Sequence, residues 1–203
     1  MTIGEQTFNA FLDDLASKEP IPGGGATSGI LAALASSLGA MVLAYTKGKE
    51  KYAQHESFLD DCGNFLNTAR IEAMELAAAD AAAYGKLHAL WKLDKEDPNR
   101  VEQWGDAVEL AIDVPIRTME LCIRILTTLE AMLGKTNKML VSDLATSAII
   151  ANAAAETASW TGRINLPMFD DELRKTELSE KIETLLRSSS TLAKGIDASC
   201  RSV

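Results

Sequence analysis

The sequence predicts an all-α fold, a single domain built as a bundle of about six helices. Three observations carry that prediction. Apolar residues recur at steps of three, four and seven through almost the whole chain. No stretch alternates with the period of two that a half-buried strand requires. And residues 26–46 contain no charged side chain, as a helix in the centre of a bundle would.

Residues 5–17 open the chain as a short amphipathic helix, with Phe8, Phe11, Leu12 and Leu15 on one stripe. Residues 18–25 form a connector marked by Pro20, Pro22 and the glycines. The central helix follows at residues 26–46, where small residues at helical spacing (Gly29, Ala33, Ser37 and Ala32, Ser36, Ala40, Ala44) form ridges that let helices approach closely. It has the length of a membrane span, but Ser, Thr, Gly and Ala make it less apolar than one, so it reads as a buried core helix. A long helix over residues 56–93 carries Phe58, Cys62, Phe65, Ala69, Ala73, Leu76, Ala83, Leu87 and Leu90. After a polar loop at residues 94–99, a further stripe runs from Trp104 to Leu133, and Pro115 inside it predicts a kink. Ser142 reads as an N-cap, with Asp143 in the first turn of a helix reaching about residue 160. Residues 163–167 read as an extended break, and residues 170–199 as a final charged, amphipathic helix.

Bulk composition narrows the function. The chain has 203 residues and a formal net charge of −9, which argues against nucleic acid, because phosphate binding needs clustered cations. Three widely spaced cysteines suggest reduced thiols and a cytoplasmic setting, and residues 1–9 carry no signal-peptide pattern. Two histidines, far apart, make no zinc motif, so no metal is expected.

Three local features carry chemistry. Pro22-Gly23-Gly24-Gly25 precedes the central helix. Glycines can take positive φ, and the N-terminus of a helix offers unpaired N–H groups to an anion or a carbonyl. A tight turn and a ligand loop both fit this pattern. Lys47, Lys49 and Lys51, beside Tyr52, form the one dense basic cluster. They read either as cations at a helix C-terminus or as an anion contact. Asp80 falls on the apolar stripe of the long helix, with Tyr84 one turn on. A buried carboxyl is pushed toward a neutral pKa, which suits a general acid or base, although a structural helix-bridging Asp fits equally.

Together these residues resemble the cyclodeaminase/cyclohydrolase family of folate enzymes. The resemblance rests on the Pro22–Gly25 run, Gly39-Ala40-Met41-Val42, Lys51-Tyr52, Asp80-Ala81-Ala82-Ala83-Tyr84, Val114-Pro115, Ser142-Asp143 and Ile164-Asn165-Leu166. It covers nearly the whole chain, while residues 134–140 and 160–163 depart from the pattern. It implies a helical homodimer acting, without metal, on a one-carbon-substituted tetrahydrofolate. Cyclodeamination closes N10 of 5-formiminotetrahydrofolate onto the one-carbon unit and expels ammonia. The alternative, cyclohydrolysis, adds water to 5,10-methenyltetrahydrofolate. In this reading Asp80 carries the proton and Asp143, with Ser142, polarises the substrate. The glycines hold folate carbonyls, Tyr52, Tyr84 and Asn165 contribute to substrate binding, and Lys47, Lys49 and Lys51 meet a glutamate or polyglutamate tail. A non-catalytic folate-binding or structural dimer is the remaining alternative.

Overall fold

The uncharged segment after the glycines cannot face water along its whole length, and the rest of the chain is arranged to cover it. In the computed structural model, which describes residues 3–202, that segment is helix α2 (Gly24–Ala44). Around it lie α1 (Phe8–Leu15), α3 (Glu56–Trp91), α4 (Pro98–Ala131), α5 (Val141–Asn165) and α6 (Glu172–Arg201). Short 3-10 turns sit at Ile3–Glu5, Glu50–His55, Lys138–Leu140 and Leu166–Met168, and no strand occurs among the described residues.

The five long helices run up and down. Gly39 of α2 lies against Leu66 of α3, Leu129 of α4 and Ser147 of α5, while Gly25 of α2 lies against Asp80. So α2 and α4 point one way, and α3 and α5 point the other. Ser189 of α6 donates to Asn152 of α5 at 2.7 Å, and Ile182 touches Gly162, which sets α6 antiparallel to α5. The small-residue ridges do what their size allows. A Cβ at Gly29 would lie 2.7 Å from the carbonyl oxygen of Ala73 and 2.8 Å from the Ala77 Cβ. The buried residues of α2 are Gly25, Ala26, Ser28, Gly29, Ala32, Ala33, Ala35, Ser36, Gly39, Val42 and Leu43, whereas Ala44 is exposed and Ser37 and Ala40 are half-buried. Its hydroxyls are bonded to its own backbone (Ser28 to Gly25 O, Ser36 to Ala32 O), so they enter the core without orphaned polar atoms. Although α2 is long and apolar enough to cross a membrane, it packs between α3 and α5.

Several boundaries differ from the sequence reading, each for a local reason. α1 begins at Phe8 because Thr7 caps it, accepting from the Ala10 N–H at 3.2 Å. α2 begins two residues early, so Gly24 and Gly25 are helical and Gly23, in extended backbone, is the N-cap. Positive φ occurs at Gly48 and Gly134, not in the glycine run. α4 begins at Pro98, the first-turn position where a missing N–H is harmless, and it continues through Pro115. At α5 the N-cap position is Leu140, not Ser142. The expected break at residues 163–167 is not there: α5 runs on to Asn165 and passes into a 3-10 turn.

The helices are unequal, and this creates the site. α3, α4 and α6 are 36, 34 and 30 residues long, against 21 for α2 and 25 for α5. The start of α2 and the end of α5 stop at the same level, while α3, α4 and α6 continue. Beyond that step the long helices continue a second core through Leu87, Leu90, Ala107 and Val108.

Candidate active site

A cavity of about 470 Å³ opens at the step. Its floor comes from α3 and α4, through Asp80, Tyr84 and Ala111. One wall is the start of α2 (Gly23, Gly24, Gly25), and another is the end of α5 (Trp160, Thr161, Ile164, Asn165). Pro20 and Ile21 of the connector close the remaining side.

Asp80 is 9% exposed. Burial raises its pKa from 3.8 to about 6, and a hydrogen bond from the Ala26 backbone N–H opposes the rise. Of the two roles that the sequence left as alternatives, the helix-bridging one is directly visible. Gly23 supplies no side-chain cap to α2, and Asp80 serves the first turn from a neighbouring helix. It also lines the cavity with a carboxyl poised to exchange a proton near neutral pH. Gly25 is glycine because of this contact. A Cβ there would lie 2.0 Å from Asp80 Oδ1. By contrast, Cβ atoms at Gly23 and Gly24 would meet nothing within 4 Å, so those two keep the wall open. The N–H groups of a first helical turn have no intrahelical acceptor, so this wall presents donors and the positive end of the α2 dipole.

Asn165 is buried, and its Nδ2 donates to the carbonyl of Ala111 at 3.0 Å. That carbonyl is free because Pro115, four residues on, has no N–H to offer it. The proline thus exposes an acceptor on α4, and the last residue of α5 is anchored to it. With one Nδ2 hydrogen committed, Oδ1 and the second Nδ2 hydrogen are what Asn165 can offer a ligand. Tyr84 lies beside the carboxyl and stacks on His88, ring centroids 6.0 Å apart.

Six of the sequence-predicted site residues thus meet in one cavity: Gly23, Gly24, Gly25, Asp80, Tyr84 and Asn165. Lys47, Lys51, Tyr52, Ser142 and Asp143 lie at the other end of the same chain. At 1.5 Å per residue, the end of α2 at Ala44 is about 30 Å from Gly24 and Lys47 lies just beyond it, and Asp143 is about 25 Å along α5 from Trp160. Lys47, Lys49 and Tyr52 line a smaller hollow of about 210 Å³, where Lys47 is ion-paired with Asp60 and Lys51 lies 5.6 Å from the Tyr52 ring centroid. Within one chain, then, Asp143 and Asp80 do not meet. Sequence reasoning missed Trp160, Thr161, Ile164 and Ala111. The available signal was Trp160 and Ile164, large apolar residues four apart on the outward side of α5. Among the described residues no group of three His, Cys, Asp or Glu side chains could hold a metal ion.

Comparison with known proteins gives the family and the fold. The model of a family described as formiminotransferase-cyclodeaminase matches residues 7–184. The methenyltetrahydrofolate cyclohydrolase of Methylorubrum extorquens is 28% identical over 193 residues, 93% of each chain. The formimidoyltransferase-cyclodeaminase of Gallus gallus is 28% identical over 183 residues, 88% of this chain and 34% of its own, so the chain spans about a third of that longer relative. The crystal structure of a formiminotetrahydrofolate cyclodeaminase from Thermotoga maritima superposes with a TM-score of 0.90 over 98% of both chains, at 23% identity, and shows the same fold. With the family model covering most of its length, the chain belongs to the formiminotransferase-cyclodeaminase family.

Proposed function

We propose that the chain is a folate-dependent one-carbon enzyme of the cyclodeaminase type, with Asp80 as its proton carrier. The observation that carries this reading is a carboxyl of raised pKa at the base of a cavity walled by the open start of α2. In cyclodeamination N10 attacks the carbon of the protonated formimino group (N5–CH=NH2+) of 5-formiminotetrahydrofolate, giving a tetrahedral carbon between N5 and N10 that carries an amino group. The Asp80 carboxylate takes the proton from N10 as that bond forms. It returns the proton to the amino group, which leaves as ammonia, and the 5,10-methenyl cation remains. A pKa of about 6 lets one group do both. Asn165 Oδ1 and the α2 N–H groups orient the heterocycle.

A second reading is methenyltetrahydrofolate cyclohydrolase. It is favoured by the relative of that name, which matches end to end at nearly the same length. Here Asp80 takes a proton from the attacking water and delivers it to N5 as the ring opens to 10-formyltetrahydrofolate, and the hydroxyl proton of the tetrahedral carbon leaves to solvent. Absorbance at the methenyl band separates the two. Signal that rises from the formimino substrate supports the first, signal that falls from the methenyl substrate supports the second, and no change with either refutes both.

We also infer that the active form is a homodimer. Along α2 the outward stripe Leu31, Leu34, Leu38, Met41 and Tyr45 is apolar and partly or fully exposed, on a helix without one charged residue. A second copy packed antiparallel on this face brings the Lys47–Tyr52 and Ser142–Asp143 end of one subunit toward the cavity of the other. That arrangement supports the lysines as contacts for a glutamate tail and Asp143 as an orienting group, neither of which a single chain can provide.

A further inference from the structure

Trp160 stands five residues before Asn165 and lines the same cavity. It is 70% exposed; Ile164, one turn on, is 71% exposed, and Ile21 of the connector is 38% exposed. One exposed apolar side chain needs no explanation, but three converging on a cavity mouth make an apolar rim above a polar floor. The other two tryptophans are used differently. Trp91 and Trp104 pack edge to face with centroids 6.2 Å apart, and Arg100 covers Trp104 at 4.5 Å. The contact on Trp160 is the Arg163 guanidinium, 5.6 Å from the ring centroid, and Arg163 is ion-paired with Glu183 of α6. The indole is thus held by a tethered cation instead of being packed into a core.

We propose that Trp160 stacks on the 4-aminobenzoyl ring of the folate and so selects substrates that carry this ring over bare reduced pterins. The proposal rests on the folate reading above and deepens it. N5 belongs to the reduced pterin and N10 to the aminobenzoyl group, so a one-carbon unit joined to both lies where the two ring systems meet. When that carbon is placed at Asp80, one ring system lies inward and the other outward. The pterin has ring N–H groups and a carbonyl that need partners, and the inner walls offer them through Asn165 Oδ1 and the α2 N–H groups. The benzene ring has no polar edge and falls at the rim beside Trp160. Its carbonyl substituent withdraws electrons, which favours offset stacking on an electron-rich indole. The stack also fixes N10, the attacking or departing nitrogen, over the carboxyl.

The test uses the intact protein with Trp160→Ala and Trp160→Phe. Two ligands are titrated by calorimetry: 5-formyltetrahydrofolate, and 6-methyltetrahydropterin, which lacks the benzoyl ring. Trp160→Ala should weaken 5-formyltetrahydrofolate about 10-fold or more, the usual scale for losing one stacked ring, and leave the pterin within about twofold. Trp160→Phe should recover most of the loss. Indole fluorescence should be quenched by 5-formyltetrahydrofolate in the wild type but not in Trp160→Phe, where Trp91 and Trp104 remain. Equal loss of both ligands by Trp160→Ala would overturn the ring assignment, and unchanged affinity would overturn the contact. Dissociation of a wild-type dimer into monomers by Trp160→Ala, seen in sedimentation, would assign the residue to a subunit contact instead. A wild type that binds neither ligand would refute the folate reading itself and this proposal with it.

Discussion

Asp80 ties stability to one proton, and in the proposed mechanism activity as well. In the folded chain its pKa is about 6, against 3.8 for an unburied carboxyl. The fold therefore holds this proton more tightly than the unfolded chain does. Its contribution is full below about pH 4 and is lost as pH rises through about 6, a cost of about 3 kcal/mol at neutral pH. Asp80→Asn keeps an acceptor for the Ala26 N–H and removes the buried charge. It should raise the melting temperature at pH 7–8, with the gain vanishing near pH 4. Turnover should fall by roughly 10²–10⁴-fold, and the limb of kcat/KM that rises through pH 6 in the wild type should disappear. A variant with near-normal turnover would leave Asp80 as a helix cap only. Gly25→Ala tests the same contact from the other side. Its Cβ would overlap the carboxyl, so activity should be lost far beyond that of Gly24→Ala, whose Cβ meets nothing. Thermal melts of both variants will show whether the fold survives.

At the scale of elements, Pro115 and Asn165 act as one device across α4 and α5. The proline leaves the Ala111 carbonyl without its helical donor, and Asn165 supplies one. Pro115→Ala restores the N–H and lets α4 close its own ladder. The expected result is a helix that is as stable or more so, with Asn165 no longer anchored and KM raised several-fold while kcat changes less. Asn165→Ala leaves the buried Ala111 carbonyl unpaired and should destabilise the fold by about 1–3 kcal/mol, measured by urea unfolding. If Pro115→Ala left KM unchanged, the proline would be a packing feature alone. α2 is the other element whose sequence is explained by its neighbours. Its glycines mark where α3 and α4 come closest, and Gly29→Ala, pressed against the Ala73 backbone, should cost about 1–3 kcal/mol.

At the scale of the molecule, the two ends of the bundle divide the candidate residues between them, and a dimer would reunite them. Leu34→Arg places a charge on the outward stripe of α2, away from the cavity. It should yield a folded, helical monomer in sedimentation with little activity. A variant that stays dimeric would move the subunit contact elsewhere. The sequence alone determined the helical class, the number of long helices, the burial of α2 and the position of Asp80, because these follow from the period of apolar residues along one helix. It also determined which residues resemble a folate site. It could not determine that α5 runs on past Trp160 or that Gly24 and Gly25 are helical, because polar and glycine-rich ends carry little periodicity and their state is set by what packs on them. Only the tertiary structure decided that Asp80 caps α2 across a helix interface, that Asn165 answers the carbonyl freed by Pro115, and that Asp143 and the lysines stand about 25–30 Å from the cavity. The physical reason is that each of these is a relation between helices. Position along a helix can be read from its repeat, but which helix ends stop at the same level depends on their relative lengths and on how closely their small-residue faces let them approach.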